Sequence, residues 1–217
     1  MKLSPKTISL LKNFSTINPS IVIKPGSNLA TISPTKAIMA RATVPDTFTK
    51  EVAIYNLGRF ISSYSLLDDP DIEFGDNSLT MKSASASTVY HYSDASLIMV
   101  PPDRDIKIPT VDVQCRVSNK DMQSVMKGLG VLGLPDIAFT GDGESIMLQA
   151  LDNKNQSTDT YSVEVGKTDS TFRAIFRPEN IKMIDGDYEV EISSKGISKF
   201  TGVESTYWIA VETTSQF

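Results

Sequence analysis

The chain has 217 residues, of which 40% are hydrophobic, and a formal net charge of −5. This length fits one large domain or two small ones, with enough apolar residues for a sizeable core. The negative charge excludes a surface that attracts nucleic acid everywhere, but it allows a local basic patch. The single cysteine, Cys115, excludes an internal disulfide and a cysteine-based zinc site and favours a reducing cytosol. The sequence has no signal-peptide pattern and no apolar run of membrane-spanning length.

The first half of the chain predicts two amphipathic helices and several short strands. The first helix covers residues 4–17, because Ser4 can cap its free amides and Pro5 fits the first helical position. Its apolar face consists of Leu10, Leu11 and Phe14. The second helix follows residue 56, and its apolar face consists of Leu57, Phe60, Ile61 and Tyr64. Strands are predicted over residues 21–24, 29–33, 38–44, 50–55, 72–74, 79–82 and 88–92.

The second half repeats this order after residues 101–105, where paired prolines and charges disfavour a central strand. A third helix is predicted over residues 118–129. Its apolar face consists of Met122, Val125, Met126 and Leu129. A short fourth helix is predicted to begin at Pro178, with Ile181 and Ile184 as its apolar residues. Strands are predicted over residues 137–140, 145–151, 161–165, 172–176, 188–192, 197–201 and 207–212.

The two halves therefore share one pattern, at an offset of roughly 115–121 residues and with little residue identity. This pattern predicts an α+β fold of two similar domains, each with two helices packed on mainly antiparallel sheet. We expect the domains to cover residues 1–105 and 106–217, with a linker at about 99–110.

The positive charge is concentrated in the predicted helices. The windows 1–17, 56–67, 116–130 and 173–185 hold ten basic and three acidic residues, which leaves 11 basic and 23 acidic residues elsewhere. A basic helical side on an acidic protein is suited to the phosphates of nucleic acid. Taken alone, the same pattern also fits an ordinary solvated lysine face.

The sequence contains no convincing catalytic constellation and implies no cofactor or metal. The only histidine, His91, lies in an alternating strand pattern, and no histidine is near Cys115 in sequence. An acidic cluster does not match the spacing of a calcium loop and fits a solvated turn after the second helix. Its members are Asp68, Asp69, Asp71 and Glu73.

A family resemblance is carried by residues 1–4 (MKLS), 10–14 (LLKNF), 16–18 (TIN) and 52–57 (VAIYNL), together with Phe60 and the final Phe217. These stretches resemble the DNA polymerase sliding clamps of T-even-type bacteriophages. The match is densest over about the first 67 residues, and later the order of elements carries it more than residue identity does.

The resemblance implies a closed ring of three subunits around duplex DNA, with helices lining the hole and sheets forming the outer wall. In this family the clamp tethers a polymerase, a loader ATPase places the ring on DNA, and partners insert a C-terminal peptide near the interdomain linker. The expected location is the cytoplasm of the infected bacterial host. The family has no catalytic role, in agreement with the absence of an active-site pattern.

Three sets of residues follow as expectations. Those expected to face DNA, without reading bases, are Lys6, Lys12, Arg59, Lys120, Lys127, Arg177 and Lys182. Those expected to line the partner-peptide pocket are Ile32, Val100, Pro101, Ile106, Trp208 and Ile209. Those expected at the subunit interface, on exposed strand edges, are Val89, Tyr90, Tyr161 and Val163.

Other interpretations stay open at this point. A phage structural or assembly protein built of duplicated β-rich domains would lack a basic helical face around a hole. A hydrolase using the acidic turn would need a metal and would show turnover. For the pocket, Trp208 and Ile209 also fit a simple role in packing the second domain's core.

Overall fold

The computed structural model describes residues 1–104, 106–155 and 157–217. It forms two units, Met1–Asp103 and Arg104–Phe217, which we call unit 1 and unit 2. Asp105, where the predicted domain boundary falls, lies outside the described residues, so the exact domain limits stay a prediction. Within the described part of the chain, none of the helices combines the length and apolarity needed to cross a membrane.

Unit 1 contains two α-helices and three small groups of antiparallel strands. Its elements are α1 (Pro5–Ile17), β1 (Ile21–Ile23), β2 (Gly26–Ile32), β3 (Ile38–Phe48), β4 (Val52–Ile54), α2 (Leu57–Ser65), β5 (Asp71–Phe74), β6 (Ser78–Lys82) and β7 (Ser87–His91). Strand β1 pairs with β4, β2 pairs with β3, and β5, β6 and β7 form a meander. Helix α1 packs against β3 and α2.

The start of α1 is fixed by local and distant hydrogen bonds. The Thr7 amide donates to the Ser4 hydroxyl at 3.2 Å, as predicted for a cap. The Ser4 amide and hydroxyl both donate to Asp46 Oδ2 at 2.8 Å. Partial burial acts to raise the pKa of Asp46, but the hydrogen bonds from Thr7 and Ser4 outweigh it and hold this pKa below its ordinary value. The carboxylate therefore stabilises the folded state above the ordinary pKa, and this contribution is lost as the pH falls through the lowered one.

Strand β3 runs beyond its predicted end at residue 44 and reaches Phe48, although it includes Pro45. The pairing with β2 shifts between Asn28, which faces Thr43, and Gly26, which faces Phe48. Pro45 lies in this irregular part, where its missing amide hydrogen costs no ladder hydrogen bond. The irregularity also brings Asp46 to the start of α1.

Unit 2 contains one α-helix and two groups of antiparallel strands. Its elements are β8 (Val113–Val117), α3 (Asn119–Leu132), β9 (Asp136–Asp142), β10 (Ser145–Leu151), β11 (Tyr161–Lys167), β12 (Thr171–Phe176), β13 (Tyr188–Ser193), β14 (Ile197–Thr201) and β15 (Ser205–Ala210). One group has the order β11-β10-β9-β12, and the other has the order β15-β14-β13-β8. The rings of Phe139, Phe176 and Phe200 meet in the core, with centroids 5.7–6.2 Å apart.

The predicted fourth α-helix is wrong. Only a single 3-10 turn forms, over Pro178–Asn180, and the chain is irregular from residue 181 to residue 184. The backbone of Ile184 bonds to tyrosine side chains, since its amide donates to the Tyr207 hydroxyl at 3.2 Å and its carbonyl accepts from the Tyr188 hydroxyl at 2.5 Å. These tertiary hydrogen bonds replace the helical ones. Unit 2 therefore has one α-helix among its described residues, where the sequence predicted two.

Helix α3 begins where predicted and runs past residue 129 to Leu132, but it is less buried than predicted. Of its apolar face only Val125 is buried, whereas Met122, Met126 and Leu129 are partly exposed. Met122 and Met126 line a cavity together with Ile181, Met183 and Ile184 of the irregular segment after Pro178. The helix ends at Gly133 in the left-handed conformation, with φ of 64°, a region that glycine adopts easily.

Candidate nucleic-acid interface and partner sites

In unit 1 the predicted DNA-facing residues lie on two helices that pack together. Lys12 and Arg59 are exposed on α1 and α2, and Lys6 is partly exposed on α1. The opposite faces of these helices are buried, with Leu11, Phe14 and Leu57 fully inaccessible to solvent. Among the residues that the structure describes, Lys12 and Arg59 form no ion pair. Their charges are therefore available to a ligand.

In unit 2 helix α3 presents two exposed lysines, Lys120 and Lys127. Neither ammonium group forms an ion pair within the described ranges of the chain. Both lie away from Val125, the buried residue of the helix. This arrangement repeats the amphipathic pattern of α1 on a second helix.

The other two predicted residues in unit 2 are less well suited to contact phosphate. Arg177 is exposed, but its guanidinium lies 3.8 Å from Asp136 Oδ1 and 3.3 Å from Glu212 Oε2. These carboxylates offset the positive charge that would attract a phosphate. Lys182 is partly exposed in the irregular segment, not on the predicted helix. The role of both residues stays a prediction, with weaker support than that of the four exposed helical residues.

Strand β7 of unit 1 is an edge strand and carries two of the predicted interface residues. Within the described residues it pairs only with β6. Val89 is 54% exposed. Tyr90 is held more firmly, since its hydroxyl donates to the Asn56 carbonyl at 3.3 Å and its ring contacts Phe60 edge-on. An exposed edge of this kind offers backbone groups to another strand.

Strand β11 of unit 2 is also an edge strand, and within the described part of the chain its only strand partner is β10. Val163 is partly exposed, and Tyr161 is 36% exposed. The Tyr161 hydroxyl lies 2.5 Å from the Ser124 hydroxyl of α3, so the helix fixes the position of this edge. Sequence patterns could not reveal this contact between residues 37 positions apart.

The fit between α3 and Tyr161 leads to a stability prediction for two glycines of the same helix. A Cβ at Gly128 would lie 2.7 Å from the Tyr161 ring, whereas a Cβ at Gly130 would meet nothing within 4 Å. Alanine normally stabilises a helix over glycine by about 1 kcal/mol. We expect Gly130→Ala to gain about this amount, and Gly128→Ala to lose roughly 1–3 kcal/mol through overpacking. Urea unfolding of both variants measures the difference, and equal stabilisation by both would contradict the packing at Tyr161.

The predicted pocket residues of unit 1 lie at the start of the predicted linker, in the case of Val100 and Pro101, and at the end of β2, in the case of Ile32. Val100 is 46% exposed, and Pro101 and Ile32 are partly exposed. Two basic residues that the sequence analysis did not single out hold the segment that follows. Arg41 Nη2 donates to the Pro102 carbonyl at 2.5 Å, and Lys24 pairs with Asp103 at 2.6 Å.

The strand register relates this anchored segment to Ile32. Arg41 faces Ala30 across the β2–β3 pair, and Met39 faces Ile32, so the four residues share one face of the hairpin. The first part of the linker therefore lies over the hairpin face that carries Ile32. Ile98, two residues before Val100, is 5% exposed and belongs to the core.

The predicted pocket residues of unit 2 differ in their access to solvent. Trp208 is 8% exposed, and its indole Nε1 donates to the Ile106 carbonyl at 3.2 Å. Ile106 is partly exposed. Ile209 is fully buried, as is Tyr207 on the same side of the strand, because alternate residues face opposite sides. Ile209 therefore packs in the core, and its expected place in a surface pocket is wrong.

The groups considered for catalysis have structural explanations. Lys2 pairs with Asp69, and Lys82 pairs with Glu73 at 2.7 Å, so cations within the chain compensate much of the acidic turn. Among the described residues, no group of three His, Cys, Asp or Glu side chains is placed to hold a metal. Burial, with a smaller effect from Glu189, raises the pKa of the Cys115 thiol to about 12, so it is protonated at neutral pH.

Comparison with known proteins identifies the family. The family described as DNA polymerase processivity factor matches residues 2–100, and the family described as gp45 sliding clamp, C terminal, matches residues 114–213. The sliding clamp of Vibrio phage KVP40 is 33% identical over 98% of this chain and 99% of its own length. This chain belongs to the sliding clamp family. The sliding clamp of Enterobacteria phage T4 is 30% identical over 99% of this chain and 98% of its own.

The fold of the sliding clamp is also that of more distant solved structures. The PCNA of A. fulgidus, solved with the C-terminal region of FEN-1 bound, aligns with a TM-score of 0.71 at 11% sequence identity. The alignment covers 96% of each chain. The family predicted from the N-terminal stretches is thus confirmed. The chain is a DNA polymerase processivity factor, and the alternative of a phage assembly protein is not supported.

Proposed function

We propose that this sliding clamp encircles duplex DNA as a ring of three identical subunits and contacts the phosphates without reading bases. The observation that carries this proposal is the set of exposed helical cations, Lys12, Arg59, Lys120 and Lys127, on a protein with a net charge of −5. A few loosely held cations attract phosphate weakly, and weak attraction permits sliding. A closed ring stays on DNA by topology, so it needs no strong grip.

Assembly of the ring uses the two exposed strand edges. Strand β7 of one subunit pairs with β11 of the next, which places Val89 and Tyr90 beside Tyr161 and Val163. The open edges of β7 and β11 in the described residues support this arrangement. Such pairing satisfies backbone groups that would otherwise be left to water or to non-specific partners.

The clamp acts as a tether and performs no chemistry of its own. It requires no cofactor or metal and works in the cytoplasm of the infected bacterium, where a loader ATPase opens the ring and places it on DNA. The C-terminal peptide of the replicative polymerase binds at the linker. The protonated Cys115 thiol and the compensated acidic turn support a non-enzymatic role.

The peptide site includes Ile32, Val100, Pro101, Ile106 and Trp208. The exposed apolar side chain of Val100 and the linker segment anchored by Arg41 and Lys24 support this choice. The A. fulgidus PCNA with the C-terminal region of FEN-1 is a clamp-fold protein that binds such a peptide. Apolar anchors in a recess commonly provide most of the affinity of a peptide.

This assignment predicts a loss of peptide affinity on a single substitution. Val100→Asp should weaken binding of a peptide with the polymerase C-terminal sequence by about tenfold or more, because a charge would be buried in an apolar contact. The matched control is Val203→Asp, since Val203 is fully exposed in unit 2. Trp208 emission measures binding and should shift with peptide in the wild-type clamp. The site would be contradicted if the peptide binds tightly while Trp208 emission stays constant and Val100→Asp leaves the affinity unchanged.

Primer extension with the cognate polymerase, loader and ATP tests the function itself. The template is a primed DNA circle, and excess trap DNA limits each polymerase to one binding event. Addition of the clamp should lengthen the products from short fragments to the full length of the template. The same products with and without the clamp would contradict its role as a tether.

A further inference from the structure

Unit 2 contains a polar cavity on the face of its β11-β10-β9-β12 sheet that is opposite to the aromatic core. The cavity has a volume of about 260 Å³, and among the described residues that line it Arg173 is the only basic one. Phe172, Ala174 and Phe176 alternate with Arg173 along β12 and are buried, and Phe176 contacts Phe139 in the core. Side chains alternate along a strand, so Arg173 points to the other face, into the cavity.

The Arg173 guanidinium has a buried hydrogen-bond donor without a protein acceptor. Its Nε is inaccessible to solvent and has no hydrogen-bond partner among the described residues. Buried donors are nearly always paired, because an unpaired one loses its bond to water without replacement. By contrast, Arg116 and Arg177 of unit 2 both form ion pairs. Among the described residues, the Nε–H of Arg173 therefore remains a hydrogen-bond donor without an acceptor.

The neighbouring polar groups of the cavity do not supply this acceptor. Thr140 donates to Gln149 Oε1 at 3.0 Å, and Gln149 donates in turn to Ser162 at 2.9 Å. The Asp152 carboxylate accepts from the amides of Lys154 and Asn155 at 2.8 and 3.2 Å. Thr140, Gln149 and one oxygen of Asp152 are thus engaged, and none of these groups accepts from the Nε of Arg173.

We propose that the cavity around Arg173 binds a carboxylate group. The Nε–H and the adjacent Nη–H of an arginine form a planar fork that matches the two oxygens of a carboxylate. Asp152 in the same lining favours this choice, since its negative charge repels a dianionic phosphate more strongly than a singly charged carboxylate. The carboxylate comes either from a free small acid or from an acidic residue of a peptide. The site does not depend on the ring or on the linker pocket.

NMR of the side-chain Nε–H of Arg173 in the full chain tests this proposal. The probes are sodium acetate for a free acid and N-acetyl-aspartyl-glycine amide for an acidic peptide, with N-acetyl-asparaginyl-glycine amide as the neutral match. Ionic strength is held constant with chloride. We expect the Arg173 Nε–H resonance to shift downfield and saturate with a carboxylate, while that of Arg116, which is exposed and already paired with Asp187, stays in place. Saturation by acetate alone identifies a small-acid site, and tighter binding of the aspartyl peptide identifies a peptide site.

Two substitutions give opposite expected effects, so loss of folding in one cannot hide the result. Arg173→Gln should weaken carboxylate binding about tenfold, since it removes the charged fork. Asp152→Asn should strengthen binding severalfold, because it keeps an oxygen for the two loop amides and removes the repelling charge. In both variants, binding is measured from the change in the NMR chemical shift of a backbone amide at the cavity rim. No saturating shift at Arg173 in the wild type, or unchanged affinity in Asp152→Asn, would overturn the proposal.

Discussion

Replacing Lys12, Arg59, Lys120 and Lys127 together with glutamine should weaken attraction of the clamp to duplex DNA by about tenfold or more at moderate salt. The four side chains are exposed on helices of both units and are not engaged in ion pairs among the described residues. Each phosphate contact that is lost should reduce the slope of log affinity against log salt by about 0.9. Fluorescence anisotropy with a labelled duplex at several salt concentrations measures both quantities.

A variant with the same change in net charge provides the control. Four lysines outside the helices are exposed, and within the described residues they form no ion pairs. They are Lys36, Lys107, Lys154 and Lys195. Their joint replacement by glutamine should change the salt slope little if the helices face the DNA. Equal losses in the two variants would show that only net charge matters, and a dependence on base sequence would contradict phosphate contact.

The second large effect is expected at the edge of β7, where Val89→Pro should prevent the trimer from forming. The amide of Tyr92 donates to the Asn77 carbonyl at 3.0 Å, and the amide of Ser83 donates to the Ala86 carbonyl at 2.9 Å. Tyr92 with Asn77 and Ser83 with Ala86 are therefore hydrogen-bonded pairs that continue the β6–β7 register at its two ends. Such pairs alternate along an antiparallel ladder, so the backbone amide of Val89 points away from β6, to the open edge. Proline removes this donor and leaves the β6–β7 hydrogen bonds in place.

Sedimentation velocity over a range of concentrations measures the effect on assembly. Val89→Pro should weaken each interface by at least about tenfold, because a backbone donor is lost and the pyrrolidine ring of proline clashes with the incoming strand. Val89→Thr keeps the amide and the branched shape, and it should still form trimers. A Val89→Pro protein that assembles like the wild type would place the interface elsewhere, and a wild type that stays monomeric would contradict the ring.

The helices α1, α2 and α3 could be predicted from sequence because their signals are local. Ser4 and Ser118 accept hydrogen bonds from the amides three residues ahead, as the cap pattern requires. The apolar spacing of α1 matches its buried residues Leu10, Leu11 and Phe14. In α1, cap, spacing and tertiary packing all favour the same structure.

The failures occurred where distant residues decide the structure. The segment after Pro178 does not form the predicted helix, because the backbone amide and carbonyl of Ile184 bond to the hydroxyls of Tyr207 and Tyr188 and not to helical partners. The extension of β3 through Pro45 depends on an irregular register with β2. The predicted strand over residues 207–212 ends at Ala210, and the amide of Glu212 bonds instead to Ile175 of β12 at 2.9 Å.

The candidate sites could be predicted only in part, for the same reason. Exposure of Lys12 or Lys120 follows from helical periodicity, but the neutralisation of Arg177 by Asp136 and Glu212 requires the folded chain. The linker anchors Lys24 and Arg41 are separated from their partners by 79 and 61 residues. The complete burial of Ile209 depends on which face of β15 meets the core.

Retention on circular compared with linear DNA tests the ring most directly. The clamp is loaded with its loader and ATP onto a nicked circular plasmid, isolated by gel filtration at a salt concentration that suppresses phosphate contacts, and the plasmid is then cut once. A ring held by topology should stay on the circle for minutes and leave soon after the cut, since it slides off a free end. Blocking both ends with bound protein should restore retention. Release at the same rate from circular, cut and blocked DNA would contradict encirclement.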